Sequence, residues 1–200
     1  MRLGVNPMEH PLVYLALQAP FVDKKLAPMF AHSELAAVQR VLDLGCGPGT
    51  NTHHFDGADY LGVDINERYV DYARRRHRRD FLVADITKGF EAEKGFDFIL
   101  VNSLLHHIDT PGARRILSRL QTLLSDEGHV HILELVRPAA PSIARLLARW
   151  DRGEFPRPLA EWQELFEEHF EPVIFEWYPL GALGVTLWHM VYFKGRARAA

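Results

Sequence analysis

A regular alternation constrains this chain more than any other feature. Short apolar runs recur at residues 40–44 (RVLDL), 59–63 (DYLGV), 80–84 (DFLVA), 96–101 (FDFILV) and 129–135 (HVHILEL). Each has strand length and little polar interruption, the pattern of a strand buried on both faces. Helical spacing separates some of them. Residues 66–77 put Tyr69, Val70 and Ala73 on one face, and residues 112–124 do the same for Ile116, Leu117, Leu120, Leu123 and Leu124. Strands alternating with helices imply βαβ units and a parallel sheet. The C-terminal part breaks the rhythm. Residues 171–178 (EPVIFEWY) and 184–195 (GVTLWHMVYFKG) are strand-like, and the link between them is too short for a helix, so they pair antiparallel. The expected fold is α/β: a three-layer αβα sandwich around a mostly parallel seven-stranded sheet with one antiparallel C-terminal strand. The 200 residues suit a single domain with one full core, over 1–200.

The first run leads into a glycine loop, VLDLGCGPGT, at 41–50. Gly45, Gly47 and Gly49 allow backbone conformations and close approaches that a side chain would forbid. A helix is expected to begin near Thr50, with its N-terminal amides favouring electron-rich ligand groups. The dinucleotide fingerprint G-x-G-x-x-G would need a third glycine at position 50, where Thr50 stands. Asp43, two residues before the first glycine, suits a cationic ligand better than a pyrophosphate. Asp64 closes the second run, where a carboxylate can accept from ribose hydroxyls, and Asp85 closes the third, within reach of an adenine amine. Each acid could instead serve as a helix N-cap.

In this order and spacing the motifs resemble those of the class I S-adenosylmethionine-dependent methyltransferases. VLDLGCGPGT is similar to their glycine-rich motif, GVDIN to the ribose-binding acid and ADI to the adenine-binding turn. FDFILVNSLLHHI (96–108) is similar to their fourth-strand motif, and LLSDEGHVHILE (123–134) to the helix, turn and fifth strand that follow. The resemblance spans about residues 40–195. It implies S-adenosyl-L-methionine as cofactor and S-adenosyl-L-homocysteine as product. It implies that the loop of Asp43, Gly45, Cys46 and Gly47 lies along the cofactor's amino-acid part, and that Asp64 binds the ribose. It further implies that Ile65 packs on adenine, that Asp85 and Ile86 flank the adenine edge, and that Asn102 offers its backbone carbonyl to the amino group. Residues 1–38 are expected to form a helical cap over the carboxyl edge of the sheet, with Tyr14 stacked near the sulfonium. Residues 137–170 form an acceptor-side insertion that supplies Trp150, Arg152, Phe155, Arg157 and Trp162. Arg152 or Arg157 could hold an acidic substrate group, or each could be a solvated surface charge.

His106 and His107 follow the fourth strand, where this family brings cofactor and acceptor together. With an unperturbed pKa of about 6.5, either could take a proton from an acceptor hydroxyl; otherwise they shape the cofactor pocket. The family's nitrogen-methylating NPPY or DPPY signature is absent, VNSL standing in its place, so an oxygen on a small molecule is the preferred acceptor. The other readings are an NAD(P)-linked oxidoreductase and a non-catalytic module that only binds the cofactor.

The remaining features exclude more than they assign. His53 with His54, and His129 with His131, lack a third ligand at metal spacing. YARRRHRRD (72–80) carries five arginines but no interleaved aromatics, so it reads as a solvated helix end and not as a nucleic-acid surface. The net charge of −3 points the same way. No apolar run reaches the roughly 18 residues of a membrane span, and Glu9 and His10 interrupt the N-terminal apolar stretch, so neither membrane insertion nor secretion is expected. One cysteine, Cys46, fits a reducing, cytoplasmic setting.

Overall fold

The computed structural model describes residues 22–150, 153–182 and 184–198. Seven strands form one sheet: β1 (Arg40–Leu44), β2 (Asp59–Asp64), β3 (Asp80–Val83), β4 (Phe96–Asn102), β5 (Leu124–Val136), β6 (Phe170–Ala182) and β7 (Val185–Ala197). Their order is β3-β2-β1-β4-β5-β7-β6. Neighbours from β3 through β5 pair in parallel, while β7 pairs antiparallel with both β5 and β6. The sheet is therefore parallel apart from one reversed strand, as the helix-free C-terminal link requires.

Among the described residues, five α-helices flank it: α1 (Val22–Ala31), α2 (Glu67–Arg76), α3 (Thr110–Leu123), α4 (Ile143–Trp150) and α5 (Leu159–Glu167). The period-two alternation of each strand feeds two cores. Leu42, Leu44, Ile99, Val101, Val130 and Ile132 face α3 and α5. Val41, Phe98, Leu100, Leu133 and Leu135 face α1, α2 and α4. The ends of the helices follow local chemistry. Asn66 caps α2 by accepting from the amides of Arg68 and Tyr69, and Asp109 caps α3 by accepting from Gly112 at 2.9 Å. Trp162 of α5 is fully buried and donates its indole N–H to the Leu135 carbonyl at 2.9 Å, which anchors α5 against β5.

Three expectations need correction. No α-helix follows the glycine loop. A short 3-10 helix, Thr52–Phe55, stands there instead, because Asp56 and Gly57 end it and β2 begins at Asp59. Anion capture by a helix dipole is therefore not available to this loop. Second, α1 lies on a sheet face and not over the carboxyl edge. Leu26 and Met29 are fully buried with Tyr178 and Tyr192, and the Tyr178 hydroxyl donates to the Lys25 carbonyl at 2.6 Å. An amphipathic helix gains more by covering β5–β7 than by standing on their ends. Third, Leu124 opens β5 instead of ending α3, and β5 takes up its full register with β4 only after a shift between Phe96 and Phe98. Tyr14, with the rest of 1–21, and Arg152 lie outside the described residues. No helix among the described residues is long and apolar enough to cross a membrane.

Candidate active site

The carboxyl ends of β1, β2 and β4 bring most of the expected residues together. The chain leaves β1 through Gly45 (φ 73°), Gly47 (φ 55°) and Gly49 (φ 81°), a left-handed run closed to most side chains. Gly45 also sits under Leu104, whose Cδ1 lies 2.9 Å from where a Cβ would stand. The loop is bound to β2 by its backbone, Gly45 N–H and Cys46 N–H both donating to the Val63 carbonyl.

Asp64 completes that junction. One carboxylate oxygen accepts from Gly47 N–H at 2.8 Å and the other from Asn66 N–H at 2.8 Å. Burial raises its pKa, and these amides offset part of the rise. Asp64 is thus no helix cap; Asn66 does that work. Beside it Ile65 is 66% exposed, a large apolar side chain held open at the mouth of the loop. Asp85 is engaged locally, accepting from the Thr87 amide at 3.1 Å and hydroxyl at 2.6 Å and pairing with Lys88 at 3.1 Å. Ile86 packs against the α3-side core. Asp43 turns inward, fully buried, and accepts from Tyr60 at 2.7 Å and Asn51 at 3.2 Å. Burial pushes its pKa up to about 6, despite those two donors. Cys46 is buried beside it, with Sγ 2.9 Å from where a Cβ on Gly62 would be.

The β4 end is held by a residue that the motifs did not point to. Glu134 of β5 is fully buried. One of its oxygens accepts from the amides of Leu104 at 2.8 Å and Leu105 at 2.6 Å, and the other meets His106 Nδ1 at 2.7 Å. The signal for it was an acid in the middle of an otherwise apolar strand, HILELV, where only a satisfied carboxylate survives. Immediately after β4, Ser103 has φ 54°, a left-handed conformation that costs a non-glycine residue about 1–3 kcal/mol. Asn102 has a buried side-chain oxygen with no hydrogen-bond partner. His106 is buried at 3% exposure and His107 is exposed, their rings 4.2 Å apart.

Residues 153–158 cross above this loop. Phe155 N–H donates to the His106 carbonyl at 2.9 Å. Arg157, expected to be either a substrate clamp or a surface charge, is neither. It is 5% exposed, and its terminal nitrogens donate to the carbonyls of Leu105 (3.1 Å), Phe155 (3.2 Å) and Ile108 (2.8 Å) and to the Thr110 hydroxyl (3.2 Å). The guanidinium lies 4.7 Å from the Trp162 ring. Burial explains this fate: a guanidinium under the crossing segment must satisfy its donors within the chain.

Comparison with known proteins places this geometry. A model described as a methyltransferase domain matches residues 41–128, from the glycine loop to Gly128 in the first part of β5. An uncharacterized methyltransferase of Mycobacterium bovis is 31% identical over 147 residues, 70% of each chain. The chain belongs to the class I S-adenosylmethionine-dependent methyltransferases. Trans-aconitate 2-methyltransferase of Methylobacterium radiotolerans is 32% identical over 121 residues, 56% of this chain and 45% of that one. The chain thus spans less than half the length of that relative. The N-methyltransferase NodS of Bradyrhizobium japonicum shares the fold, with a TM-score of 0.71 at 16% identity over 90% of this chain and 98% of that one. Membership sets aside the dinucleotide reading, in line with Thr50 and the reversed β7.

The residues present fit the methyltransferase family's cofactor. The Asp64 carboxylate, the exposed Ile65 and the glycine backbone offer, in turn, acceptors for hydroxyls, an apolar platform and close approach. Among the described residues no three His, Cys, Asp or Glu stand close enough to hold a metal ion.

Proposed function

We propose that the chain transfers a methyl group from S-adenosylmethionine to a small-molecule acceptor, with oxygen preferred over nitrogen. The junction of Gly47 N–H with Asp64, next to exposed Ile65, carries this reading. When bound, the cofactor supplies a methyl group activated by its sulfonium. The chain's own residues bind and orient. Gly45, Cys46 and Gly47 admit the amino-acid part against the backbone, and Asp64 accepts from the ribose. Ile65, Asp85 and Ile86 line the adenine, the backbone carbonyl of Asn102 holds the amino group, and Asp43 stiffens the loop from beneath through Asn51. Residues 1–21, with Tyr14, and the part of 137–170 over the carboxyl edge complete the acceptor side of one domain over 1–200.

Displacement at a sulfonium depends mostly on alignment, so positioning supplies much of the rate. His106 and His107 are the groups proposed to take an acceptor proton. Glu134 orients the His106 ring, because a carboxylate facing Nδ1 holds a proton on that nitrogen. The relatives named for trans-aconitate support an acceptor of small size. Labelled methyl transfer into matched alcohols, acids and amines tests the proposal. Label in oxygen acceptors is expected. Label in amines alone overturns the oxygen preference, and no transfer despite tight S-adenosylhomocysteine binding puts a non-catalytic binding module in its place.

A further inference from the structure

Beyond the cofactor residues, a cleft of about 640 Å³ opens between α4, the crossing segment 153–157 and the end of β5. That is the size of a small-molecule site, at the carboxyl edge where α/β sheets bind ligands. Its walls include Arg137, Arg145 and Thr110, with Glu154 and Glu161 at the rim and the buried Arg157 behind. It is one loop away from the proposed reaction centre, since Gly153 in its wall packs on His106.

The three guanidinium groups differ in what they still offer. Arg157 has both terminal nitrogens committed to the chain. Arg145 is anchored through one terminal nitrogen to the carbonyls of Pro138 and Ala139, which leaves its other terminal nitrogen and Nε as a fork held in place. Arg137 lies 4.0 Å from Glu161, beyond hydrogen-bond distance, with both side chains about half exposed. Among the described residues these are two planar forks, Arg145 pre-anchored with donors to spare and Arg137 held by one long, half-exposed ion pair; in a concave site of small-molecule volume they match a carboxylate, which takes paired N–H donors.

We propose that Arg137 and Arg145 hold a carboxylate of the acceptor, so that the substrate is a small carboxylic acid. This rests on the methyltransferase reading for what the bound acid is used for, not for the binding itself. Calorimetry on the protein saturated with S-adenosylhomocysteine tests it, with propane-1,2,3-tricarboxylate, its triamide and inorganic phosphate as probes. The tricarboxylate should bind at least tenfold more tightly than the triamide or phosphate. Arg137→Gln and Arg145→Gln should each weaken it about tenfold while leaving S-adenosylhomocysteine affinity unchanged, and added salt should weaken it further. Equal binding of the triamide, no tricarboxylate binding at millimolar concentration, or unaffected variants overturn the proposal. Phosphate binding as tightly as tricarboxylate overturns the carboxylate assignment. Failure of the methyltransferase reading shows separately, as absent S-adenosylhomocysteine binding in the first titration.

Discussion

Glu134 and Asp43 are both fully buried carboxylates beside the site, and their surroundings send them in opposite directions. Burial alone would raise Glu134, but the facing His106 and the amides of Leu104 and Leu105 outweigh it and hold the group below its ordinary value of 4.5. A depressed folded pKa contributes stability above the unfolded value and loses it as pH falls through the folded one. Glu134→Gln should therefore cost about 1–3 kcal/mol at pH 7 in urea unfolding, by weakening a charge-assisted bond at His106. It should also blunt the acid-side loss of stability. Asp43 is the reverse case, raised from 3.8 to about 6 because burial exceeds what Tyr60 and Asn51 return. The folded state holds that proton more tightly, so Asp43 lowers stability as pH rises from about 4 to 6 and its ionised form is a burden above that. Asp43→Asn should add up to about 3 kcal/mol at pH 8 and flatten the profile between those values, since a tenfold difference in proton affinity between folded and unfolded chain is worth about 1.4 kcal/mol. Unchanged stability at pH 8 would show that Asp43 is not strained by its burial.

Among the elements, the segment 153–158 connects the two helical layers across the top of the sheet, and Arg157 fastens it to the loop after β4. Arg157→Lys keeps the charge but not the fork: the Ile108 carbonyl loses its guanidinium donor, while the Leu105 carbonyl keeps the Ile108 N–H. It should cost about 1–3 kcal/mol in urea unfolding, the cost of roughly one orphaned group. In the glycine loop, Gly45→Ala meets both a φ of 73° and Leu104, so it should reduce S-adenosylhomocysteine affinity at least tenfold. The strands were legible as short apolar runs, and the helices at 66–77 and 112–124 by their 3.6-residue period. What was not legible depends on contacts distant in sequence. The stretch after Thr50 is polar up to Phe55, and Asp56, Gly57 and the short span to β2 keep it from being an α-helix. Arg157 reads as a surface charge until a chain crossing buries it, and Glu134 meets its partners from a strand about thirty residues away. Of the site, the glycines and Asp64 were legible from spacing, whereas the engagement of Asp43 with Tyr60, and of Asp85 with Thr87, needed side-chain geometry.

For the molecule as a whole, a ligand that binds only the folded chain adds stability in proportion to its saturation. S-adenosylhomocysteine at a hundred times its Kd should add about 2.7 kcal/mol. For a chain of this size that is roughly a 5–10 °C rise in Tm, at about 2–4 °C per kcal/mol. NADH at the same concentration should leave Tm unchanged. The function rests on the loop, Asp64 and Ile65 forming one adenosyl-binding unit, and calorimetric titration of S-adenosylhomocysteine into the native chain and two variants addresses that unit without intermediaries. Binding should be micromolar or tighter, and at least tenfold weaker in Asp64→Ala. Ile65→Asp, at a position 66% exposed, should weaken binding comparably without changing the Tm of the unliganded protein. Native affinity in both variants, or NADH bound as tightly as S-adenosylhomocysteine, would contradict the adenosyl-binding unit.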